Sequence, residues 1–207
     1  MPSAWNDAPR SGLVLAAALV ASLGAALLQG CAVFVVAGVA TGLTVAHDRR
    51  PASVVLADDT IEIQAMNLLH EHPEIGAESN ISINSYNLTV LLTGQAATQT
   101  LSDRFAGLVA ELPKVAKVVN EVAVGPNLGL SETSKDIYLA SQAKLALTKV
   151  NISGFDPLRV HVVASAGTVY LLGLVTREEA DAAAEKVRYV SGVTKVIKLF
   201  EYIQAAT

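Results

Sequence analysis

Few side chains in this sequence have the type and spacing for chemistry. His70-Glu71-His72 presents two imidazoles two positions apart. On a helix that spacing turns them to different sides, which suits a solvated helix end better than a shared metal ion. Glu178, Glu179 and Asp181 sit close together, but general acid–base work needs carboxylates that face one cleft. Helix N-terminal capping explains them more simply, since Thr176 stands three positions before Glu179. Gly38-Val-Ala-Thr-Gly42 has no Lys after it, and Gly125-Pro-Asn-Leu-Gly129 has no Lys-Ser/Thr, so neither has the form of a phosphate loop. No Gly-x-Ser-x-Gly elbow is present. We therefore expect no catalysis, no cofactor and no metal. A net charge of −4 and an aromatic content of 5% also speak against nucleic acid as a partner. Two features remain. One is Cys31, the only thiol. The other is a stretch holding Lys135, Ile137, Tyr138, Lys144, Leu145 and Lys149, in which ammonium groups and a phenol ring suit an anionic membrane surface.

Cys31 lies inside an uncharged stretch from Gly12 to Ala46. That is longer than the roughly 20 residues that span a bilayer, so a buried Cys in a membrane helix is one reading. The tetrad Leu28-Gln29-Gly30-Cys31 supports another, because it resembles the lipobox of a bacterial lipoprotein. The resemblance implies that the thiolate takes a diacylglycerol, that a signal peptidase cuts after Gly30, and that the new amine can be acylated, palmitate being a typical chain. Two or three acyl chains make a stable anchor where one is marginal. Ala32 rather than Asp follows the Cys, which the same resemblance associates with the outer membrane. Residues 1–30 are then a signal peptide, and 31–56 a lipidated Cys with an apolar, Gly-rich tether.

Behind the tether the chain repeats itself. Thr168-Val-Tyr-Leu-Leu-Gly173 echoes Thr89-Val-Leu-Leu-Thr-Gly94 at an offset of 79, and a fixed-period match in two copies points to tandem small domains. Each copy reads as helix, two strands, helix, strand. Asp58 to His70 forms the first helix, with Asp58 and Asp59 at its positive N-terminal end and Pro73 as its stop. Val160, Val162 and Ala164 alternate towards a turn at Ser165-Ala166-Gly167, then a second strand follows. Asn84-Ser85-Tyr86-Asn87 gives the matching turn in copy one. His161 alternates away from Val160 and Val162 and reads as a surface residue. Gly94 and Gly173 close their strands and allow close backbone approach. The fold class is α+β: two tandem αββαβ domains, each with two helices on a three-stranded sheet. Their bounds are 57–124 and 131–207, joined by a linker at 125–130.

Three features together resemble the BON domain of bacterial envelope proteins: the strand Thr-Val-Tyr-Leu-Leu-Gly-Leu-Val, the Ala-rich helix after a capped Thr, and the closing Gly192-Val193-x-x-Val196. Two such domains behind a lipobox resemble the dual-BON outer-membrane lipoproteins. The resemblance implies a protein lipid-anchored in the outer membrane and facing the periplasm, with no known catalysis and with anionic phospholipid bound in some members. It also implies an aromatic and a basic residue on one helix, at positions matching Tyr138 and Lys144.

The two copies differ on that helix. Leu139, Ala143, Ala146, Leu147 and Val150 form the core stripe of copy two and match Ile61, Ala65 and Leu69 at an offset of 78. Tyr138, Leu145 and Lys149 are left on the far side, with Ile137 and Lys144 on its flank. Copy one places Ile63, Gln64, Asn67 and His70 there, and holds no Lys or Arg between residues 58 and 74. Copy two is thus the expected phospholipid-binding domain, acting in outer-membrane integrity. Packing of copy one against this face, or docking of other envelope proteins by a structural lipoprotein, are the competing readings.

Overall fold

The computed structural model describes residues 48–126 and 130–204. Cys31, the lipobox and the segment proposed as a signal peptide lie outside them. His47–Thr207 form one compact unit containing both repeats and their cores. No helix among the described residues is long and apolar enough to cross a membrane.

The first repeat opens with α1 (Ala52–Glu71), followed by one short turn of helix, α2 (Pro73–Gly76), the hairpin β1 (Ser79–Tyr86) and β2 (Thr89–Ala96), α3 (Gln99–Ala110), β3 (Lys117–Asn120) and β4 (Ala123–Val124). The second has α4 (Leu130–Leu147), a 3-10 turn at Pro157–Arg159, the hairpin β5 (His161–Ser165) and β6 (Thr168–Val175), α5 (Arg177–Val187) and β7 (Lys195–Tyr202). Each hairpin is antiparallel, and the strand after the crossover helix pairs parallel to the second hairpin strand. This is the expected αββαβ arrangement, with a helical crossover leaving the central strand of each sheet, but the first sheet has four strands rather than three, because β4 pairs parallel with the end of β2.

α1 begins six residues earlier than Asp58. Pro51 accepts from Val54 and Val55 and starts it, in keeping with the fixed φ of proline at helix entries. Asp58 is therefore inside the helix and 2% exposed, not at its charged end. Its carboxylate accepts from the Ser85 hydroxyl and the backbone N–H groups of Asn87 and Leu88, and so pins the hairpin turn. That turn lies at Asn87-Leu88, with φ of 51° and 65°, rather than at 84–87, and β1 runs on through Tyr86. Ala166 and Gly167 repeat it at 48° and 80°, and Asp136 accepts from the Ala166 N–H at 2.9 Å. Positive φ at both central residues suits the twist of a two-residue hairpin. The capping box is formed as expected: Thr176 Oγ1 accepts from Glu179 N, and Glu179 Oε2 from Thr176 N.

Each repeat has its own core between helices and sheet. Ile61, Val90, Leu92, Phe105 and Val109 lead the first, and Leu139, Leu147, Val169, Leu171 and Val187 the second. A third cluster joins the repeats. Tyr86 and Leu91 of the first sheet pack with Val163, Tyr170 and Leu172 of the second. These residues alternate with the core positions along their strands, so the sheets meet through the faces turned away from their helices. Strands that are apolar on both faces, such as Val169-Tyr-Leu-Leu172, are what a doubly covered sheet requires. The Asn87 amide donates to Glu201 at 2.8 Å across this seam. Burial first, and then the nearby Glu121 carboxylate, push the Tyr170 phenol up to about 12.

Candidate lipid-binding face

The outward side of α4 carries the residues singled out from the sequence. Its helical period turns Leu139, Ala143 and Leu147 into the core and leaves the opposite side bare. Ile137 and Tyr138 are each 64% exposed and Leu145 57%. Large apolar side chains this open on one helix face mark a contact surface more often than chance does. Lys135 and Lys144 are exposed on the same helix, whereas Lys149, expected on it from the period, is exposed in the turn just past its end at Leu147. Lys135 is paired with Glu132 at 2.5 Å, whereas Lys144 and Lys149 have no acidic partner among the described residues. The first repeat does not cover this face, because the two domains join through their sheets.

Three neighbours enlarge the face, and sequence periodicity had no means to find them. Tyr189, after the end of α5, is exposed, with the Arg188 guanidinium 4.8 Å from its ring centre. It shares a shallow groove with Leu145, Lys149 and Lys186. Leu158, in the 3-10 turn, is 76% exposed. The signal for these was the clustering of Lys186, Arg188 and Tyr189, but only the packing of α4 beside α5 brings it to Lys149.

A second groove, of about 590 Å³, runs along the other flank of α4 and reaches the first repeat. Lys144, Leu145, Leu158 and His161 line it from the second domain, Tyr86 from the first, and Asp48 and Arg50 from the segment that precedes the first. Arg50 lies over the Tyr86 ring at 3.9 Å and is paired with Asp48 and Asp58, each at 2.7 Å. The Tyr86 and His161 rings are 6.2 Å apart. His161 is thus not the surface residue expected. It does alternate away from Val160 and Val162, but the first sheet covers that side. Burial first, and then the Lys144 and Arg50 charges, push its imidazole below the ordinary value. Its Nε2 is buried with no hydrogen-bond partner among the described residues.

The chain end that leads to the tether is fastened at this seam. Arg49 donates to both oxygens of Glu179, at 2.7 and 3.0 Å, and to the carbonyl of Leu174 at 2.9 Å. Burial acts against the Glu179 carboxylate, but the hydrogen bonds from Arg49 and Thr176 outweigh it and hold its pKa below the usual range. Asp48, the first described residue, lines the groove beside Lys144.

The first repeat offers a different surface. α1 exposes Leu56, Ile63 and Met66, so its outer side is more apolar than its sequence suggests, yet it carries no Lys or Arg. Gly94 and Gly173 occupy equivalent central-strand positions, though each strand runs two residues beyond its glycine. Among the described residues no group of three or more His, Cys, Asp or Glu is placed to hold a metal. His70 Nδ1 lies 2.9 Å from the Met66 carbonyl and His72 Nδ1 3.3 Å from Glu74.

A family model described as "BON domain" matches residues 57–126 and 138–204. The sequence is 37% identical over 183 residues to the outer membrane lipoprotein DolP of Haemophilus influenzae, covering 87% of this chain and 93% of that one. It is 33% identical over 157 residues to a 21 kDa hemolysin of Actinobacillus pleuropneumoniae, covering 76% and 80%. Among solved structures, the C-terminal domain of CdsD, a structural protein of the Type III secretion system of Chlamydia trachomatis, aligns at 19% identity over 71% of this chain and 67% of that one, with a TM-score of 0.27.

Proposed function

The chain belongs to the BON-domain family, and from that premise we propose that it is a lipid-anchored outer-membrane protein, facing the periplasm, whose second BON domain binds anionic phospholipid and thereby supports envelope integrity. The observation that carries the reading is the bare outer face of α4, where Tyr138 and Leu145 stand open beside Lys144, with Lys149 in the turn after the helix, and neither lysine has an acidic partner among the described residues. Tyr suits the head-group level of a bilayer. Each Lys near an anionic surface contributes roughly 1 kcal/mol. Lys135 and Ile137 extend the contact along the helix. A binding role is supported by the names of the relatives reported above, a lipoprotein and a hemolysin.

Sedimentation of fragment 47–207, which contains both cores, with vesicles tests this. Tyr138→Ala with Lys144→Glu reverses one charge and removes the ring, so we expect about a tenfold or greater loss of binding to phosphatidylglycerol vesicles. High salt should weaken wild-type binding as well. Undiminished binding by a folded double variant would show the reading to be wrong. For the anchor, mass spectrometry of the membrane-extracted protein is expected to find Cys31 as an acylated N-terminus. A mature chain that still begins at Met1 would contradict it.

A second reading, docking of another envelope protein, is favoured by the exposed Leu56, Ile63 and Met66 of α1. An apolar stripe with no basic residue fits a protein surface better than anionic lipid. Photo-crosslinking from position 63 in the intact envelope separates the two readings, since a lipid-only role yields no protein adduct there.

A further inference from the structure

We propose that the free edge of β5 is a docking site for an extended segment of another polypeptide, which adds there as a fourth strand of the second sheet and lies in the groove between β5, α4 and the first sheet.

The hairpin register decides which backbone groups are free. Ser165 faces Thr168 across the two-residue turn, Val163 faces Tyr170 and His161 faces Leu172, and these are the pairs that exchange hydrogen bonds. Val162 and Ala164 therefore point their N–H and C=O groups away from β6, and none of these groups has a partner among the described residues. The two residues stand roughly 6.7 Å apart along the strand, the repeat at which another extended chain offers its own donors and acceptors. A sheet edge of this kind is normally guarded by Lys, Pro or a covering element. β7, the opposite edge, carries Lys195 and Lys198, whereas His161-Val-Val-Ala-Ser165 holds neither Lys nor Pro.

The first repeat shows what is missing. Ser85 stands in β1 where Ala164 stands in β5, two positions before the turn. Its N–H is taken by the Glu62 carboxylate of α1 at 2.7 Å. At the offset of 78 that aligns α1 with α4, position 62 becomes Ala140, which has no acceptor to give. The second repeat thus leaves open a donor that the first repeat closes with its own side chain.

Space and lining agree with a strand. A groove of about 340 Å³ runs along this edge. Ile137 and Ala140 line it from α4, Val162 to Ala166 from β5, and Asn80, Ser82 and Gln95 from the first sheet. Gln95 is buried, yet its carboxamide has no partner among the described residues. A strand added to β5 turns alternate side chains to the two walls, so an apolar residue meets Ile137 and a small or polar one meets Asn80, Ser82 and Gln95. In strand addition, main-chain hydrogen bonds give affinity and the alternating pockets give selectivity. A glycan could satisfy Gln95, but it has no row of donors and acceptors at strand spacing for Val162 and Ala164.

Random peptides of about eight residues, the length of a long strand, are displayed on phage and selected on fragment 47–207. Counter-selection uses its Ala140→Gln variant, whose amide restores an acceptor at the place of Glu62. We expect enriched peptides to alternate apolar with small or polar residues. As synthetic peptides they should shift the Val162 and Ala164 amide resonances of the labelled fragment to saturation. Ala140→Gln should weaken them at least tenfold and leave binding to phosphatidylglycerol vesicles as in the wild type. Each peptide is also made with every second amide N-methylated, in both phases. One phase should lose at least tenfold in affinity and the other keep it, because only one row of amides faces β5. That comparison needs no variant and decides the matter if Ala140→Gln does not fold. Equal binding by the two phases, shifts confined to Leu56, Ile63 and Met66 of α1, or a selection that enriches nothing would each overturn the site. Saturable shifts of the Asn80 and Gln95 side-chain amides by chitotetraose, with no peptide response at Ala164, would replace the peptide by a glycan.

Discussion

Asp58→Ala is expected to lower the stability of fragment 47–207 by about 3–5 kcal/mol, the range for breaking a buried, hydrogen-bonded ion pair. The carboxylate accepts from Ser85 Oγ, Asn87 N and Leu88 N at 2.8 Å each, and from Arg50 Nη1 at 2.7 Å. Alanine leaves those donors unmatched and removes one of the two carboxylates that balance Arg50. It also releases a turn in which Leu88 is held at a φ of 65°, a conformation that L-residues other than Gly and Asn adopt at a cost. The second repeat supplies the control. Asp136 stands at the equivalent position but accepts there from Ala166 N, at 2.9 Å, across a turn that contains Gly167. Asp136→Ala should therefore cost only about 1 kcal/mol. Urea denaturation of both variants checks the pair. Equal midpoints would mean that the carboxylate is not what holds the first turn.

The same aspartate marks the limit of what the sequence could tell. Periodicity found the repeat, the hairpins and the core stripes, because each follows from side-chain alternation within one element. The capping box was legible because its two residues are three positions apart. Asp58 was misread because an acidic residue before an apolar stripe looks like a helix start, while the hairpin groups it holds lie 27 to 30 positions away. His161 was misread for a related reason. Its alternation was right, but which face of a sheet is solvent depends on the second sheet, and only the double-sided apolar character of β2 and β6 hinted at that cover. The outward face of α4 was the reverse case. Leu139, Ala143 and Leu147 fix which side is core, so the remaining side could be named in advance. Leu158, Lys186 and Tyr189 could not, since they reach that face only through the packing of other elements.

The two strand glycines look interchangeable in the repeat, yet their substitution by valine is expected to have unequal effects. Gly94 has a φ of 102°, and a Cβ there would lie 2.0 Å from the carbonyl oxygen of Asn80 on the paired strand. Both objections concern backbone. The dihedral is one that L-residues rarely adopt, and the oxygen belongs to a strand registered against β2 from Ser79 to Tyr86, so it cannot retreat without breaking the ladder. Strain of about 1–3 kcal/mol adds to an overpacking cost of about 1–3 kcal/mol. Gly94→Val should therefore destabilise by roughly 3 kcal/mol or more, and even Gly94→Ala should suffer, because the clash begins at Cβ. Gly173 has no such dihedral. A Cβ there would meet the Arg159 carbonyl oxygen at 2.6 Å and the Phe200 ring at 3.5 Å. That carbonyl ends a short 3-10 turn rather than sitting in a ladder, so it can give a little, and Gly173→Val should cost about 1–3 kcal/mol. Thermal melts of fragment 47–207 carrying each change would rank them. If Gly173→Val proved the more damaging, backbone conformation would not be what reserves position 94 for glycine.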